Sequence, residues 1–326
     1  MHPAFSVIFL TTLIGAGQGL FLALFTGQLY ALANLLPQQE DRYFYGMGSD
    51  LAVLFLGLGL LASFFHLGHP ERAWRSAAQW RTSWLSREVI ILPAALGLIA
   101  LYGLIHWMQW TQPFFVIREA LPVDASLIVG VLAMLAVFAL YIATGMIYAC
   151  IRFLQEWHSA LTVINYALLG IASGFTFAAA FSAWIGNGLV GFYGTWAVIL
   201  TLAAAVTRSA ALIRNRRIKH KSNLQTAIGI RHTHIQQKAQ GAMGGSFNTR
   251  EYMHHQSPDF MHKVLVVFMV LVFTLPILLL AASYWLASPY LPAAAFVVQY
   301  LGLLAERWYF FADARHPQNL YYQSVA

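Results

Sequence analysis

The chain has 326 residues, of which 59% are hydrophobic and only 10% are charged. Because a soluble domain normally carries about a quarter charged residues, this chain cannot cover a water-facing surface, and the lipid bilayer is its natural solvent. The single cysteine, Cys150, excludes a disulfide framework and any iron–sulfur cluster held by this chain alone, since such clusters need about four thiolates.

Eight apolar runs are long enough to cross about 30 Å of hydrocarbon as helices rising about 1.5 Å per residue. Backbone groups cannot remain unpaired in lipid, so each run predicts a helix. The expected fold is a single all-α integral membrane domain over 1–326 with eight transmembrane helices. The predicted spans are 5–36, 47–67, 88–110, 127–152, 160–185, 194–213, 263–286 and 293–313.

Lysine and arginine are distributed very unevenly between the two sets of connections. Eight crossings place both termini on the same side as the loops after the second, fourth and sixth helices. Nearly all connecting Lys and Arg residues fall on that side, and only Arg42 and Arg118 fall on the other. The positive-inside rule therefore predicts that both termini are cytoplasmic. The same distribution accounts for the net charge of +7, because the basic residues cluster on the side that meets lipid headgroups. No nucleic-acid partner is therefore expected.

The connection 214–262 is a long, basic polar insert. Its histidines match no zinc spacing, so the sequence favours a cytoplasmic loop that rests on lipid headgroups or on a partner subunit. The histidines are His220, His232, His234, His254 and His255, and flexibility is expected at Gly241, Gly244 and Gly245.

The short connection between the second and third spans is unusually rich in ionisable groups. His66 is expected to end the second helix and Glu88 to open the third. Ionisable groups at membrane depth suggest a functional site by default. Arg72 and Arg75 lie one turn apart and can point the same way if the segment between the spans forms an interfacial helix. Ordinary interfacial anchoring is the alternative for the arginines and for Trp74, Trp80 and Trp84.

A quinone headgroup would use this set well. Its two carbonyl oxygens need donors such as His66, which titrates near neutral pH, and its reduction takes up protons that a carboxylate such as Glu88 can pass on. The isoprenoid tail needs an opening to lipid, which the small residues of 15–19 in the first helix could provide. Gln18, within that run, is expected either to face quinone or, slightly favoured, to bond between helices.

Other polar groups lie inside the spans, among them Tyr148, Asn165, Glu306 and Arg307. Glu306 and Tyr148 are candidates for a proton path, with a structural ion pair as the alternative for Glu306. Adjacent residues of a helix point about 100° apart, so Glu306 and Arg307 are each expected to have a partner on another helix.

A haem with two histidine ligands would require both at the same depth. His66 and His106 fall at opposite ends of antiparallel helices and cannot share one iron. A pairing of His66 with His158 is formally open but disfavoured, so no haem is expected.

Two stretches carry a family resemblance. The run His-Leu-Gly-x-Pro-x-Arg-Ala-Trp at 66–74, followed by Leu-Ser-x-Glu at 85–88, resembles the signature of the dimethyl sulfoxide reductase membrane-anchor (DmsC-like) family. The ending 306–319 is also similar to a common ending in that family. The resemblance covers nearly the whole chain and implies a haem-free, multi-pass anchor of the bacterial inner membrane.

The resemblance also implies partners and a site. The partners are a ferredoxin-like subunit with [4Fe–4S] clusters and a catalytic subunit with a molybdenum bis-pyranopterin cofactor, both on the cytoplasmic face. In the family, the histidine and glutamate of the two motifs are implicated in binding quinone (ubiquinone or menaquinone), and they fall on His66 and Glu88. Candidates added around that site are Arg72, Arg75, Gln18 and Ser86, and candidates for partner docking are Arg81, Arg87, Arg216 and Arg217.

One departure bears on the substrate. The dimethyl sulfoxide reductase anchor has its amino terminus outside, whereas the charge distribution here places both termini inside. That orientation, with the opening run 2–9, resembles the anchors of sulfite-oxidising molybdoenzymes that face the cytoplasm. The resemblance implies that sulfite is oxidised in the catalytic partner, as in a sulfite dehydrogenase, and that quinone is reduced here.

Three alternatives stay open. The first is a dimethyl sulfoxide- or polysulfide-type reductase, with electrons running from quinol to the substrate. The second is a secondary transporter with Gln18, Asn165 and Glu306 along a solute path and with helices broken at Pro93 and Pro276. The third is a purely structural anchor, with quinone bound elsewhere.

Overall fold

The computed structural model describes residues 1–117, 121–238 and 252–321. Eight long helices follow one another in antiparallel order, at the places where the sequence predicts them. They are α1 Phe5–Leu32, α2 Met47–Phe64, α3 Trp84–Trp107, α4 Ala125–Ala149, α5 Ala160–Ile185, α6 Val190–Arg216, α7 Pro258–Leu286 and α8 Tyr290–Ala312.

Seven of these helices are long and apolar enough to cross a membrane, among the residues described. The exception is α8, which has 23 residues but contains Gln299, Glu306 and Arg307, and these lower its apolar character. The protein is therefore a multi-pass membrane protein. The eighth crossing and the sidedness of the termini stay predictions.

Local sequence explains where several helices begin and end. Side-chain oxygens cap the exposed N–H groups at the starts of α3, α4, α5 and α7, from Ser83, Asp124, Ser159 and Ser257 respectively. α5 ends at Gly186, whose φ of 75° lies in the left-handed region that glycine adopts at little cost.

Two helices contain prolines at which the sequence analysis considers a break, Pro93 in α3 and Pro276 in α7. Pro93 lies inside α3 without interrupting it, so the predicted break there is wrong. Pro276 follows a π-helical turn, Val270–Thr274, within α7, because a proline has no N–H to donate and its ring crowds the preceding turn. A second π-helical turn, Asp41–Gly46, leads into α2.

The chain is mostly helical, as the all-α prediction expects, and one small hairpin lies in a connection. Strands β1 Phe115–Ile117 and β2 Leu121–Val123 pair antiparallel between α3 and α4, with Phe115 opposite Val123. Arg118, which the charge distribution assigned to this connection, lies outside the described residues.

Two faces of the bundle are defined by its connections. On the face that we call the basic face, the Met1 amino group donates to Ala314 O at 2.9 Å, and Arg214 Nη2 donates to Gln155 O at 3.0 Å. The connection after α2 and the chain after α6 lie on this face as well. On the opposite face, His106 of α3 contacts Asp41 at 3.0 Å.

α1 is the central helix. It contacts α2, α4, α5 and α8. In its apolar stretch of 18 residues, 78% of the residues are buried, against 28–61% in the matching stretches of the other six candidate spans. Glycines allow this closeness: a Cβ on Gly19 would stand 3.0 Å from Gly174 Cα of α5, and one on Gly17 would stand 2.9 Å from Ala52 O of α2. The predicted opening for a quinone tail at 15–19 is therefore wrong, because neighbouring helices fill it.

Candidate functional site

His66 stands on the basic face, just beyond the end of α2. The helix ends at Phe64, so His66 does not terminate it at membrane depth as expected, and its side chain is exposed. Its ring nitrogens make no hydrogen bond to any described residue. Partial desolvation nevertheless lowers the pKa of His66, so the imidazole is neutral at pH 7, with one nitrogen donating and the other accepting.

The segment after His66 forms a 3₁₀ helix, Pro70–Gln79, with no buried residue. The predicted interfacial helix is therefore present in a tighter form, in which residues three apart eclipse one another. Arg72 Nε lies 3.6 Å from Glu71 Oε1, and the Arg75 guanidinium lies 5.5 Å from the Trp74 ring centroid. Both guanidiniums are on the surface, where a headgroup or a partner can reach them.

Two further arginines of this connection also stack on tryptophans. The Arg81 guanidinium lies 5.4 Å from the ring of Trp80, and that of Arg87 lies 4.1 Å from the ring of Trp84. Arg87 also donates to Trp80 O at 2.9 Å and to Arg81 O at 2.8 Å. Arg87 thus fixes the shape of the connection, which supports a structural role in addition to the predicted docking.

Ser86 ties the 3₁₀ helix to the first turn of α3. Its side chain is buried, and its hydroxyl donates to the carbonyl oxygen of Ser76. That proton is committed to the backbone, so Ser86 positions the connection above Glu88.

Glu88 lies one turn inside α3 rather than at its opening, because the helix begins at Trp84. It is only 9% exposed, and its Oε1 accepts a hydrogen bond of 2.5 Å from Thr144 Oγ1 of α4. Glu88 therefore lies within a candidate membrane span, whereas His66 lies beyond the end of one.

Two tyrosines of α4 and α5 pack against this end of α8: the Tyr166 ring lies 5.7 Å from the Arg307 guanidinium carbon, and the Tyr148 ring lies 5.5 Å from the ring of Phe310. Tyr166 of α5 is buried, and its hydroxyl donates to Thr11 O at 3.3 Å. Tyr148 of α4 is half-buried, and its ring packs in an aromatic cluster, 5.4 Å from the ring of Trp157.

Glu306 of α8 forms a buried ion cluster with two arginines. Arg208 Nε of α6 lies 2.8 Å from Glu306 Oε1, at ion-pair distance but not in hydrogen-bond geometry, and Arg307 Nε donates to Oε2 at 2.6 Å. The prediction of a partner on another helix is confirmed for Glu306. Arg307 pairs with its neighbour Glu306, and its guanidinium also lies over the Tyr166 ring of α5, which is a partner on another helix. Arg208 was missed, although a lone arginine inside an apolar run is a visible signal.

The two acidic sites belong to one connected cluster. The Arg307 guanidinium carbon lies 5.7 Å from the ring centroid of Tyr166 on α5, and α5 packs against α4, whose Thr144 donates to Glu88. Sequence reasoning had no means of relating Glu88 to Glu306, because side chains of two other helices, α4 and α5, lie between them.

Gln18 is fully buried in α1, and neither of its amide atoms makes a hydrogen bond to a described residue. The slightly favoured expectation of an interhelical hydrogen bond is therefore wrong. A buried amide without partners is costly, so this position stays a candidate for contact with a ligand or water.

His106 and His158, the other two histidines considered as haem ligands, lie at the helix ends where the predicted spans place them. His106 pairs with Asp41 on the opposite face from His66, and His158 Nδ1 lies 2.6 Å from Ala149 O. On that opposite face a polar chain that the sequence analysis missed links Tyr102, Gln28, Ser126 and Asp124 through hydrogen bonds of 2.6–2.9 Å.

The connection after α6 borders a cavity of about 900 Å³ on the basic face. Arg216 and two of the predicted loop histidines, His220 and His254, are in its wall, and burial lowers the pKa of His254. Arg217 is exposed beside it. No group of three or more metal-ligating side chains occurs among the described residues. Gly241, Gly244, Gly245 and Arg250 lie outside the described residues.

Comparison with known proteins extends the resemblance of 66–88 and 306–319 to the whole chain. A family profile described as the DMSO reductase anchor subunit (DmsC) matches residues 1–308. The chain is also 63% identical over 326 residues to a protein of Allochromatium vinosum that is named as the C subunit of sulfite dehydrogenase, and the alignment covers 100% of both chains.

Proposed function

The chain belongs to the family of DMSO reductase anchor subunits (DmsC), and from that premise we propose that it holds a three-subunit molybdenum and iron–sulfur oxidoreductase at the bacterial inner membrane and passes electrons to quinone. The full-length similarity to the C subunit of a sulfite dehydrogenase supports sulfite as the electron donor. In this proposal a molybdenum subunit oxidises sulfite, and a ferredoxin-like subunit brings the electrons to the basic face, which is cytoplasmic.

The observation that carries the proposal is the Glu88 carboxylate, buried one turn below an exposed connection and hydrogen-bonded to Thr144. Quinone, when bound, supplies two carbonyl oxygens that take up two electrons and two protons. The neutral imidazole of His66 offers a free N–H to such an oxygen, and Glu88, in the first turns of the helix that follows the same connection, is a carboxyl group that can pass on a proton. This donor set fits a quinone headgroup at the basic face.

The exposed arginines of the basic face suit the docking of the iron–sulfur subunit. Their side chains are exposed, and none is buried in an ion pair with a described residue. The residues proposed for this contact are Arg72, Arg75, Arg81, Arg216 and Arg217.

The experiment is to purify the intact complex by a tag on this chain and to measure sulfite-driven reduction of a short-chain ubiquinone analogue. Glu88→Gln is expected to slow quinone reduction by about 10²-fold or more, the usual contribution of a positioned acid or base, and His66→Leu is expected to slow it as well. Reduction of a soluble dye by the partner subunits should be unchanged. Glu71→Gln and His69→Leu, exposed residues of the same connection, are the matched controls.

Each alternative has its own outcome. Full quinone reduction by an assembled His66→Leu or Glu88→Gln complex would favour a purely structural anchor. Oxidation of quinol coupled to reduction of a sulfoxide or polysulfide, without sulfite activity, would reverse the electron flow. Purification of the chain without molybdenum or iron would favour a transporter.

A further inference from the structure

The large cavity on the basic face, of about 900 Å³, lies where three helices meet their connections. Its volume falls in the range of about 300–1,000 Å³ that is usual for pockets that hold a small molecule. Its wall combines the ends of α6 and α8, the first turns of α7 and the chain that adjoins them. The cavity is therefore bounded by helices that enter the bilayer as well as by surface connections.

Apolar side chains form the part of the wall that belongs to the bundle. Met261 and Leu265 lie one turn apart on the same face of α7, and Tyr309 and Ala312 are in the last turn of α8. α7 begins at Pro258, so Leu265 lies about 10 Å further along the helix at about 1.5 Å per residue. This apolar depth suits a hydrocarbon chain, which a small soluble anion does not have.

The charged side chains of the wall stand at the ends of the helices. Arg216 is the last residue of α6, and Arg315 comes shortly after Ala312, the last residue of α8. Both arginines are exposed, and neither makes a hydrogen bond or an ion pair with a described residue. Among the described residues of the wall, Asp313 is the one carboxylate, and it accepts a hydrogen bond of 3.3 Å from Asn215. Two guanidiniums against one carboxylate favour a bound anion.

Two further ionisable groups leave this balance unchanged. Glu156 stands outside the wall and has basic neighbours of its own: His220 Nε2 lies 3.5 Å from its carboxylate, and Arg214 donates to its backbone oxygen at 3.4 Å. Burial lowers the pKa of the Met1 amino group to about 6, so this amine of the wall is neutral at pH 7. Counted with neutral histidines, the wall carries one net positive charge, which matches the single negative charge of a phosphodiester.

Two imidazoles of the wall are held as N–H donors. Nδ1 of His254 accepts a hydrogen bond from Gln256 N at 3.1 Å. Nδ1 of His316 accepts in the same way from Gln318 N at 3.3 Å. Desolvation lowers the pKa of both histidines, so each ring is neutral at pH 7 and carries its proton on Nε2. Each imidazole can therefore donate one hydrogen bond to an oxygen of a bound anion.

We propose that this cavity binds an anionic phospholipid from the leaflet that meets the basic face, with its phosphate at Arg216 and Arg315 and an acyl chain along Met261 and Leu265. Basic pockets between transmembrane helices recognise such headgroups. The inference is independent of quinone chemistry. Because Arg216 is also among the residues proposed for docking, the rival occupant is an acidic segment of the iron–sulfur subunit, and the test includes it.

The test is native mass spectrometry of the intact complex in detergent, titrated with phosphatidylglycerol or with phosphatidylcholine of the same acyl chains. One arginine near a lipid surface contributes about fivefold to binding, so Arg216→Gln and Arg315→Gln should each weaken retention of the first phosphatidylglycerol by about that factor. The unaltered complex should prefer it to phosphatidylcholine, which has no net charge, by about 25-fold, and the double variant should lose this preference. Arg152→Gln is the matched control, because Arg152 is exposed on the same face but stands outside the cavity wall.

Glycerol phosphate, which has the anionic group but no acyl chain, is expected not to displace the bound lipid. Displacement by glycerol phosphate would show a site for a free anion and would overturn the lipid assignment. Equal retention of the two lipids by the unaltered complex, or a preference that survives in the double variant, would overturn the site itself. Retention of phosphatidylglycerol by the separated full-length chain but not by the complex would assign the cavity to the partner subunit and overturn the proposal.

Discussion

Glu306→Gln is expected to destabilise the protein more than Arg208→Gln, although both substitutions remove the same ion pair. Glu306 is completely buried and is the carboxylate that, among the described residues, lies within ion-pair distance of both Arg208 and Arg307. Glu306→Gln leaves two buried guanidiniums without a counter-charge. Arg208→Gln leaves Glu306 and Arg307 as a neutral pair.

The structure gives a magnitude to this difference. Removing one partner of a buried ion pair, so that a charge is left uncompensated, costs about 3–5 kcal/mol, and this applies to Glu306→Gln. Arg208→Gln leaves Glu306 Oε1 without its partner on α6 but strands no charge, and a buried polar atom left without a partner costs about 1–3 kcal/mol. The gap of about 2 kcal/mol corresponds to about 30-fold in the folding equilibrium.

The assay is reversible unfolding in mixed micelles, titrated with SDS and followed by tryptophan fluorescence. The double variant should cost less than the sum of the single variants, because only Arg307 is then left unpaired. Glu71→Gln, which removes the exposed contact of 3.6 Å with Arg72, serves as the control and should stay within about 0.5 kcal/mol. Equal costs for the two single variants, or strict additivity, would refute the reasoning.

Further outcomes are expected elsewhere in the molecule. Gly174→Val should abolish assembly of the bundle, measured by size-exclusion chromatography, because its Cβ would overlap the backbone of Gly19, whereas Gly57→Val, with open space around it, should assemble normally. Burial lowers the pKa of the Met1 amino group from 8.0 to about 6, so the unfolded chain binds more protons between these values and stability should rise from pH 6 to 8. A thermal midpoint that rises over this range, and is flat for the N-acetylated protein, checks this sign. Ser86→Ala should speed tryptic cleavage after Arg81, because it frees the 3₁₀ helix from α3.

The helices were largely predictable, because apolar length in lipid leaves the backbone few choices. Each of the eight expected runs coincides with a helix, and the main errors are at the ends. α3 begins at Trp84 because Ser83 caps it, which moved Glu88 from the helix opening to one turn inside. Ser83, a residue type that favours the cap position, stands five residues ahead of the predicted span 88–110.

The site was predictable only in part. Glu88 and Glu306 were found because carboxylates in apolar runs are conspicuous. Their connection was not, since Thr144 and Tyr166 look like ordinary polar residues of apolar helices until α3, α4 and α5 are brought together. The glycines of 15–19 were misread for a related reason: small residues permit both a gap and a close contact, and only the position of α5 decides between them.

The central position of α1 has a consequence for how the protein is made. The first helix to enter the bilayer is the one whose neighbours α4, α5 and α8 are synthesised later, in the middle and at the end of the chain. Until α5 arrives, the glycine surface of α1 faces lipid, which it cannot pack as closely as another helix does. Insertion and assembly are therefore separate stages, and a ribosome that stalls before α5 leaves behind an inserted but unassembled fragment suited to removal by membrane proteases.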